Sequence, residues 1–354
     1  MKKITTIALI IFSSIIITAQ DKLMTPETYD IWNSMEQVRI STNGEWVSYT
    51  IVPGKGDKTL VLYNTKSGQE TKYERSHSPQ FDYDNKFVAF KTSIAEDSLQ
   101  SLKLKKTKKD KLPKDTITLV SLNSTVVDKV TEVEKFSMPR KSGSIVALSL
   151  KGKTVKKDST LVKDENSKNG RPLLVYDFKA DTFYTFNYIK DFKWAEKTNR
   201  LVLHSTGMDS TNLDIITIHD FDLKKKQNIH TNKGKYFDLS INDNGTQVAF
   251  LIDSDTTKNK PRHYDLFLWQ ENQKSAEKIA DDKLSFISKD WQISNHNTLT
   301  FSEDGHRLYY NIAPIPMMED STVIEEEKAV VEVWHYEDPL LYTCLLYTSD
   351  AADE

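Results

Sequence analysis

The sequence predicts an all-β fold, a β-propeller of four-stranded antiparallel blades, and three observations predict it. One kind of hairpin recurs along the chain, a second hairpin follows each copy, and the composition suits short, half-buried strands. Hydrophobic residues make up 38% of the 354, with 15 Tyr, 15 Phe and 6 Trp. That is enough for a core but low for buried parallel strands, which read as continuous apolar runs. The apolar runs here are short, alternating and rich in Val, Ile, Thr and aromatics, as antiparallel strands require.

The first hairpin appears in ISTNGEWVSYTI (40–51), FDYDNKFVAFKT (81–92), FSMPRKSGSIVALSL (136–150), FKWAEKTNRLVLHST (192–206), LSINDNGTQVAFLID (239–253) and FSEDGHRLYYNI (301–312). Each has an aromatic or aliphatic residue, a polar turn and an alternating strand. The turns carry Asn43-Gly44, Asp84-Asn85, Ser142-Gly143, Lys197-Thr198-Asn199, Asn244-Gly245 and Asp304-Gly305. Asn, Asp and Gly tolerate the positive φ that tight hairpins need.

The second hairpin appears in TLVLYNTKSGQETKY (59–73), TITLVSLNSTVVDKV (116–130), PLLVYDFKADTFYTF (172–186), DIITIHDFDLKKKQNI (214–229) and DLFLWQENQKSAEKI (265–279). Two hairpins make four strands per repeat, and the first interval, from Ser41 to Asp82, is 41 residues. Four short strands recurring every ~40–60 residues, the later intervals stretched by inserted charged loops, is the pattern of a propeller blade. A single four-stranded sheet cannot bury both faces, whereas radial stacking buries them against neighbouring blades. A sandwich or solenoid accounts less well for the paired-hairpin period. The chain thus predicts about five complete blades and part of a sixth.

Outside the repeats, MKKITTIALIIFSSIIITAQ opens the chain. Lys2 and Lys3 form a positive start, Ile7 to Ile17 an apolar run, and Thr18-Ala19-Gln20 a small-residue exit, as in a signal peptide cut after Ala19. The apolar run is shorter than the roughly 20 residues a membrane-spanning helix needs, so a periplasmic or secreted chain with no membrane span is expected. Residues 20–37 are expected to form a helical lead-in: Thr25 can cap, Pro26 suits a first turn, and Tyr29, Ile31 and Trp32 supply an apolar side. The propeller is expected over 38–343. The Lys-rich stretches 101–115 and 151–170 are expected to be solvated loops, since no aromatics interleave their lysines. CLLYTSDAADE (344–354) back-translates to a sequencing-library adapter and is expected not to be native. That leaves no native cysteine, because Cys344 is the only one, so neither a thiol nucleophile nor a cysteine zinc site is expected.

The motifs of chemistry are missing. There is no G-x-S-x-G elbow, the strained corner that lifts a nucleophilic serine clear of a sheet. Gly54-Lys55-Gly56 lacks the spacing of a phosphate loop. His77, His204, His219, His230, His263, His296, His306 and His335 show no i, i+4 pair of the kind that binds zinc on a helix, and blade packing or surface roles are expected for them. Asp281-Asp282 and Glu325-Glu326-Glu327 read as solvated, and no calcium-loop spacing occurs. No catalytic, cofactor-binding or metal-binding residue is therefore assigned. With a formal net charge of −3 at pH 7, no nucleic-acid partner is expected.

IWNSMEQVRISTNGEWVSYTIVPGKGDKTLVLYNTKSG (31–68) resembles the opening of secreted bacterial peptidases of the prolyl oligopeptidase family. Trp32, Ile40, Ser41, Asn43, Gly44, Trp46, Val47, Tyr49, Gly54, Gly56 and Asp57 carry the match. Near the other end, Val333, Trp334, Asp338 and Pro339 resemble a blade strand of the same proteins. Hairpins of this kind also occur in TolB-like propellers with no enzyme attached. The resemblance implies a propeller that restricts access to an α/β-hydrolase domain, where a Ser–Asp–His triad hydrolyses short peptides. None of those catalytic residues can be placed in this sequence. The chain would then act as the substrate-gating part, with peptides as partners and no activity of its own. The alternative is a periplasmic binding scaffold; a glycan-acting propeller enzyme would need clustered carboxylates that the sequence does not locate. Oligomeric state and peptide specificity are left open.

Overall fold

A computed structural model describes residues 26–30, 32–108, 111–122, 127–151, 153–155, 161–163, 170–206, 213–253, 255 and 261–316. The expected leader, the 344–354 tail, Thr25, Glu325 to Glu327, His335 and the match at Val333 to Pro339 lie outside these residues. The chain is a β-propeller. Blade one is β1 (Asn33–Ile40), β2 (Trp46–Pro53), β3 (Thr59–Asn64) and β4 (Glu70–Glu74), paired in that order. Blade two repeats it with β5 (Ser76–Phe81), β6 (Phe87–Thr92), β7 (Thr116–Ser121) and β8 (Val127–Val130).

Blades three and four share one long strand. β9 (Val133–Ser137), β10 (Ile145–Leu150), β13 (Arg171–Asp177) and the first half of β14 (Thr182–Trp194) form blade three. The second half of β14 is the innermost strand of blade four, with β15 (Arg200–Thr206), β16 (Asp214–Asp220) and β17 (Lys225–Asn232) outside it. Between β10 and β13 sits a small hairpin of β11 (Lys153–Val155) and β12 (Leu161–Lys163). Blade five is β18 (Lys235–Ile241), β19 (Gln247–Asp253), β20 (Asp265–Gln270) and β21 (Glu277–Ala280). A sixth hairpin follows: β22 (Trp291–Ser294) pairs with β25 (Asn311–Pro314), and β23 (Thr300–Phe301) with β24 (Leu308–Tyr309).

The two-residue period of each strand divides its side chains between two interfaces. In β6, Val88 and Phe90 pack on Leu60 and Leu62 of blade one. Their neighbours Phe87 and Ala89 pack on Val146 and Leu148 of blade three. In β19, Val248, Phe250 and Ile252 face Val202, Ile216 and Ile218 of blade four, while Ala249 and Leu251 face Ile293 and Leu299 of the sixth hairpin. The core is a series of such seams between successive blades.

The turn after each innermost strand has its own chemistry. Ser41, Asp82, Asn242 and Ser302 each donate a backbone N–H to the carbonyl five residues on. Their side-chain oxygens accept backbone N–H groups from the far side of the turn, as Asn242 Oδ1 does from Thr246 and Gln247 at 2.8 and 3.0 Å. Three residues after each of these four, Gly44, Asn85, Gly245 and Gly305 take positive φ, between 56° and 73°. In the third turn Ser144 (φ 65°) takes this role instead of Ser142 or Gly143, and none of residues 197–199 in the fourth turn has positive φ.

Gly143 is fixed by space. A Cβ there would lie 2.6 Å from both Asp82 Oδ1 and the Asp84 nitrogen of blade two. Gly143→Ala is expected to destabilise the protein by about 2 kcal/mol through overpacking, read as a lower urea midpoint with unchanged slope.

Three local expectations are corrected. The lead-in helix is only α1 (Pro26–Asp30), and β1 begins at Asn33, inside the stretch expected to be helical. Pairing of Asn33 to Glu36 with Thr50 to Pro53 takes that segment into the sheet. The first Lys-rich stretch begins within α2 (Glu96–Leu104), whose first N–H bonds to Asp57 Oδ1 at 2.8 Å. The second contains the β11–β12 hairpin. Among the described residues no helix is long and apolar enough to cross a membrane.

Candidate functional site: the wall of the innermost strands

The innermost strands line the propeller axis, and those of the first five blades are each broken by an irregularity before the turn. The ladder slips between Glu36 and Arg39, between His77 and Gln80, and between Phe237 and Ser240. Gln37, Ser78 and Asp238 sit in these bulges with φ of 53°, 54° and 52°. Each lies four residues before the turn residue Ser41, Asp82 or Asn242. Such bulges re-aim side chains, and here two of them reach the next blade. Gln37 Oε1 accepts the Ser78 N–H at 2.7 Å, and Asp238 Oδ2 accepts the Leu299 N–H at 2.6 Å.

Beside the Ser78 bulge, His77 Nδ1 lies 2.9 Å from Ser78 Oγ and Nε2 lies 3.0 Å from Ser93 Oγ, whose hydroxyl donates to Asp115 at 2.7 Å. Burial holds His77 below its usual range, against the Asp115 charge. The chain of bonds braces the bulge; the Ser78 N–H, which an oxyanion hole would need free, is already committed to Gln37.

Two cavities open along this wall. One, of about 270 Å³, lies between blades four, five and six, lined by Lys193, Trp194, Glu196, Asp238 to Ile241, Asp243 and Thr298 to Phe301. Burial raises the Asp238 carboxyl and the Asp191 charge adds to this, while the Leu299 N–H and Lys193 oppose it. The other, of about 480 Å³, lies between the innermost strands of blades three and four. Glu134 and Lys135 line it from one side and Ile189 to Phe192 from the other, with Gly170 and Arg171 on its floor. Gly170 has a positive φ of 92°, and a Cβ there would come within 2.5 Å of the Tyr188 carbonyl carbon. Only glycine lets β13 start so close to β14.

Behind this cleft, Asp214 Oδ2 lies 2.9 Å from His204 Nε2 and 3.1 Å from Lys190 Nζ. Burial alone would raise the Asp214 carboxyl; the His204 hydrogen bond and the Lys190 charge outweigh it and hold it low. The other described histidines lie in aromatic packing or at the surface. His219 lies edge-on to Phe186, and His230 contacts Tyr236, Phe250 and Phe267. His263 Nδ1 pairs with Asp282 at 2.8 Å, and Asp281 with Lys278 at 2.9 Å. The Gly54 and Lys55 N–H groups bond to Trp32 and Asp30 carbonyls, fastening the lead-in to blade one.

This wall offers hydrogen bonds, ion pairs and apolar seams, the groups that hold a ligand. Among the described residues no cluster of three or more His, Cys, Asp or Glu is arranged to hold a metal ion.

No family model matches the chain, and no curated protein matches it. Solved structures of low identity do. An acylaminoacyl peptidase from Pyrococcus horikoshii is similar at 11% identity over 80% of this chain and 44% of its own, with a TM-score of 0.38. The chain therefore spans less than half the length of that peptidase. The β-propeller domain of the Trilobed protease from Pyrococcus furiosus is similar at 14% identity over 81% of this chain and 86% of its own, TM-score 0.36. A TolB-type protein from Agrobacterium tumefaciens is similar at 11% identity over 80% and 91%, TM-score 0.35.

Proposed function

We propose that the chain is the substrate-gating propeller of an exported prolyl oligopeptidase-like serine peptidase, which admits peptides to a hydrolase domain encoded beyond it. The observation that carries this reading is the match over 31–68. Its residues are the ones that build and fasten blade one: Ser41 Oγ caps the turn by accepting the Trp46 N–H at 3.0 Å, and Gly54 binds the lead-in. Met35, Val38 and Ile40 of β1 are 63%, 51% and 67% exposed, an open apolar row that supports a further blade packing there. The basic, apolar opening of the sequence supports export. In this role the chain screens substrates and contributes part of the cleft wall, and bond cleavage belongs to the hydrolase domain.

The test is to read the genomic locus through codon 343 without adapter-ligated fragments. The expected result is an open frame that adds blades and then G-x-S-x-G followed by Asp and His. A frame that closes the propeller and stops would overturn the peptidase reading in favour of a periplasmic binding scaffold.

A further inference from the structure

We propose that the cleft between blades three and four is a carboxylate-binding site that engages the acidic end of a short peptide; the peptide part of this statement rests on the function proposed above. The cleft is about 480 Å³, within the range of small-ligand sites. It is built where both innermost strands are irregular: the ladder slips between Val133 and Lys135 on β9 and between Ile189 and Asp191 on β14. Glu134 and Lys190 are the residues left without ladder partners, so both strands turn charged side chains out of register at one place.

Along the lining itself cations outnumber carboxylates by one, and Asp214 behind the cleft balances the count by pairing with Lys190. Three cations, Lys135, Arg171 and Lys190, line the cleft with two carboxylates, Glu134 and Asp191. Lys190 is held by Asp214 at 3.1 Å. Arg171 meets Glu134 through Nη1, and among the described residues Nε and Nη2 have no hydrogen-bond partner. Lys135 Nζ lies 5.4 Å from the centre of the Phe192 ring and pairs with no carboxylate among the described residues. Asp191 accepts the Phe192 N–H at 2.9 Å, and its charge is felt by Asp238 on the blade-five side. One ammonium and most of a guanidinium fork thus face a partly enclosed space beside an aromatic ring. A carboxylate fits both donors, and the guanidinium fork can bind it with two hydrogen bonds. The carboxylate can come from a peptide's C-terminus or from an acidic side chain.

Calorimetric titration of the full chain with four tripeptides separates these sources: free or amidated at the C-terminus, each with or without a central glutamate. A C-terminal site binds both free acids and loses about tenfold on amidation, the scale of a charge-assisted hydrogen bond. A side-chain site instead follows the glutamate and ignores amidation. In either case Lys135→Gln should weaken binding about tenfold, and Glu134→Gln should strengthen it by freeing Arg171. Lys135 is exposed and Glu134 half-buried on β9, and circular dichroism checks that the fold survives. Equal affinity for all four peptides, or binding unchanged in Lys135→Gln, would overturn the site while leaving peptide admission intact. If no peptide binds but succinate does and Lys135→Gln abolishes it, the carboxylate site stands and the peptide reading fails. Silence from peptides and succinate alike overturns the site.

Discussion

Replacing Phe250 with alanine is expected to lower the unfolding free energy by about 3–5 kcal/mol, the range for emptying a buried aromatic site. Phe250 is fully buried on β19, at the seam between blades four and five. Its ring lies parallel to Phe267 with centroids 5.7 Å apart, and contacts His230 at 5.3 Å and Tyr236 at 5.7 Å. Those partners come from both blades, so neither sheet can close the cavity without moving the other. Leu223→Ala, at a residue 57% exposed, is the control and should change stability by less than about 0.5 kcal/mol. Urea unfolding of the two variants decides the point. A Phe250→Ala midpoint no lower than that of Leu223→Ala would mean that the seams are not what holds successive blades together.

The seams were legible because they depend on a period of two, and Val88-Ala89-Phe90 or Val248-Ala249-Phe250 states that period without help from distant residues. Turns were legible where one residue type solves a local problem, as Gly44, Gly245 and Gly305 do with positive φ. They were misread where the need was tertiary. Gly143 is a glycine because Asp82 and Asp84 of another blade press on it. Asn199 leaves the left-handed region empty and instead binds Ser142 Oγ at 2.7 Å and the Gly143 carbonyl at 3.2 Å. The helix expected through Asn33 lost to strand pairing, which local propensity does not weigh. α2 was missed because the Lys-rich window began at Ser101, beyond the acidic first turn of Glu96 and Asp97.

The candidate site was illegible for a stronger reason. Lys135, Arg171 and Phe192 belong to three strands of two blades, and no spacing along the chain connects them. The bulges at Gln37, Ser78 and Asp238 share no residue type. Their one common signal is position, four residues before the turn, and it becomes readable only once the turn residue is known to be Ser41, Asp82 or Asn242. These bulges and the two cavities lie on the innermost strands, where loss of regular pairing frees groups for a ligand. The same irregularity that hides the site from pattern reading creates it.

Stability should respond to acid through two buried groups acting in opposite senses, and variants should separate them. Burial lowers the His219 pKa from 6.5 to about 4, with a smaller push from Lys226. The folded protein therefore resists protonating His219, so its contribution is present above pH 6.5 and is lost as pH falls from 6.5 towards 4. The upper limit of that loss is about 3 kcal/mol. Burial raises the Asp82 carboxyl from 3.8 to about 6, although the Ser144 and Lys86 N–H groups oppose it. Its contribution is present below pH 3.8 and is lost as pH rises through 6, so on acidification it offsets part of the His219 loss. His219→Phe, which keeps an aromatic ring against Phe186, should remove the loss and leave only the gain. Between pH 7 and pH 4 its unfolding free energy should rise relative to that of the parent by as much as about 3 kcal/mol, whatever its absolute stability. Asp82→Asn should do the reverse and steepen the decline. Parallel pH profiles for the parent and His219→Phe would show that His219 is protonated as easily in the folded chain as in the unfolded one, and that the aromatic seam it occupies admits water.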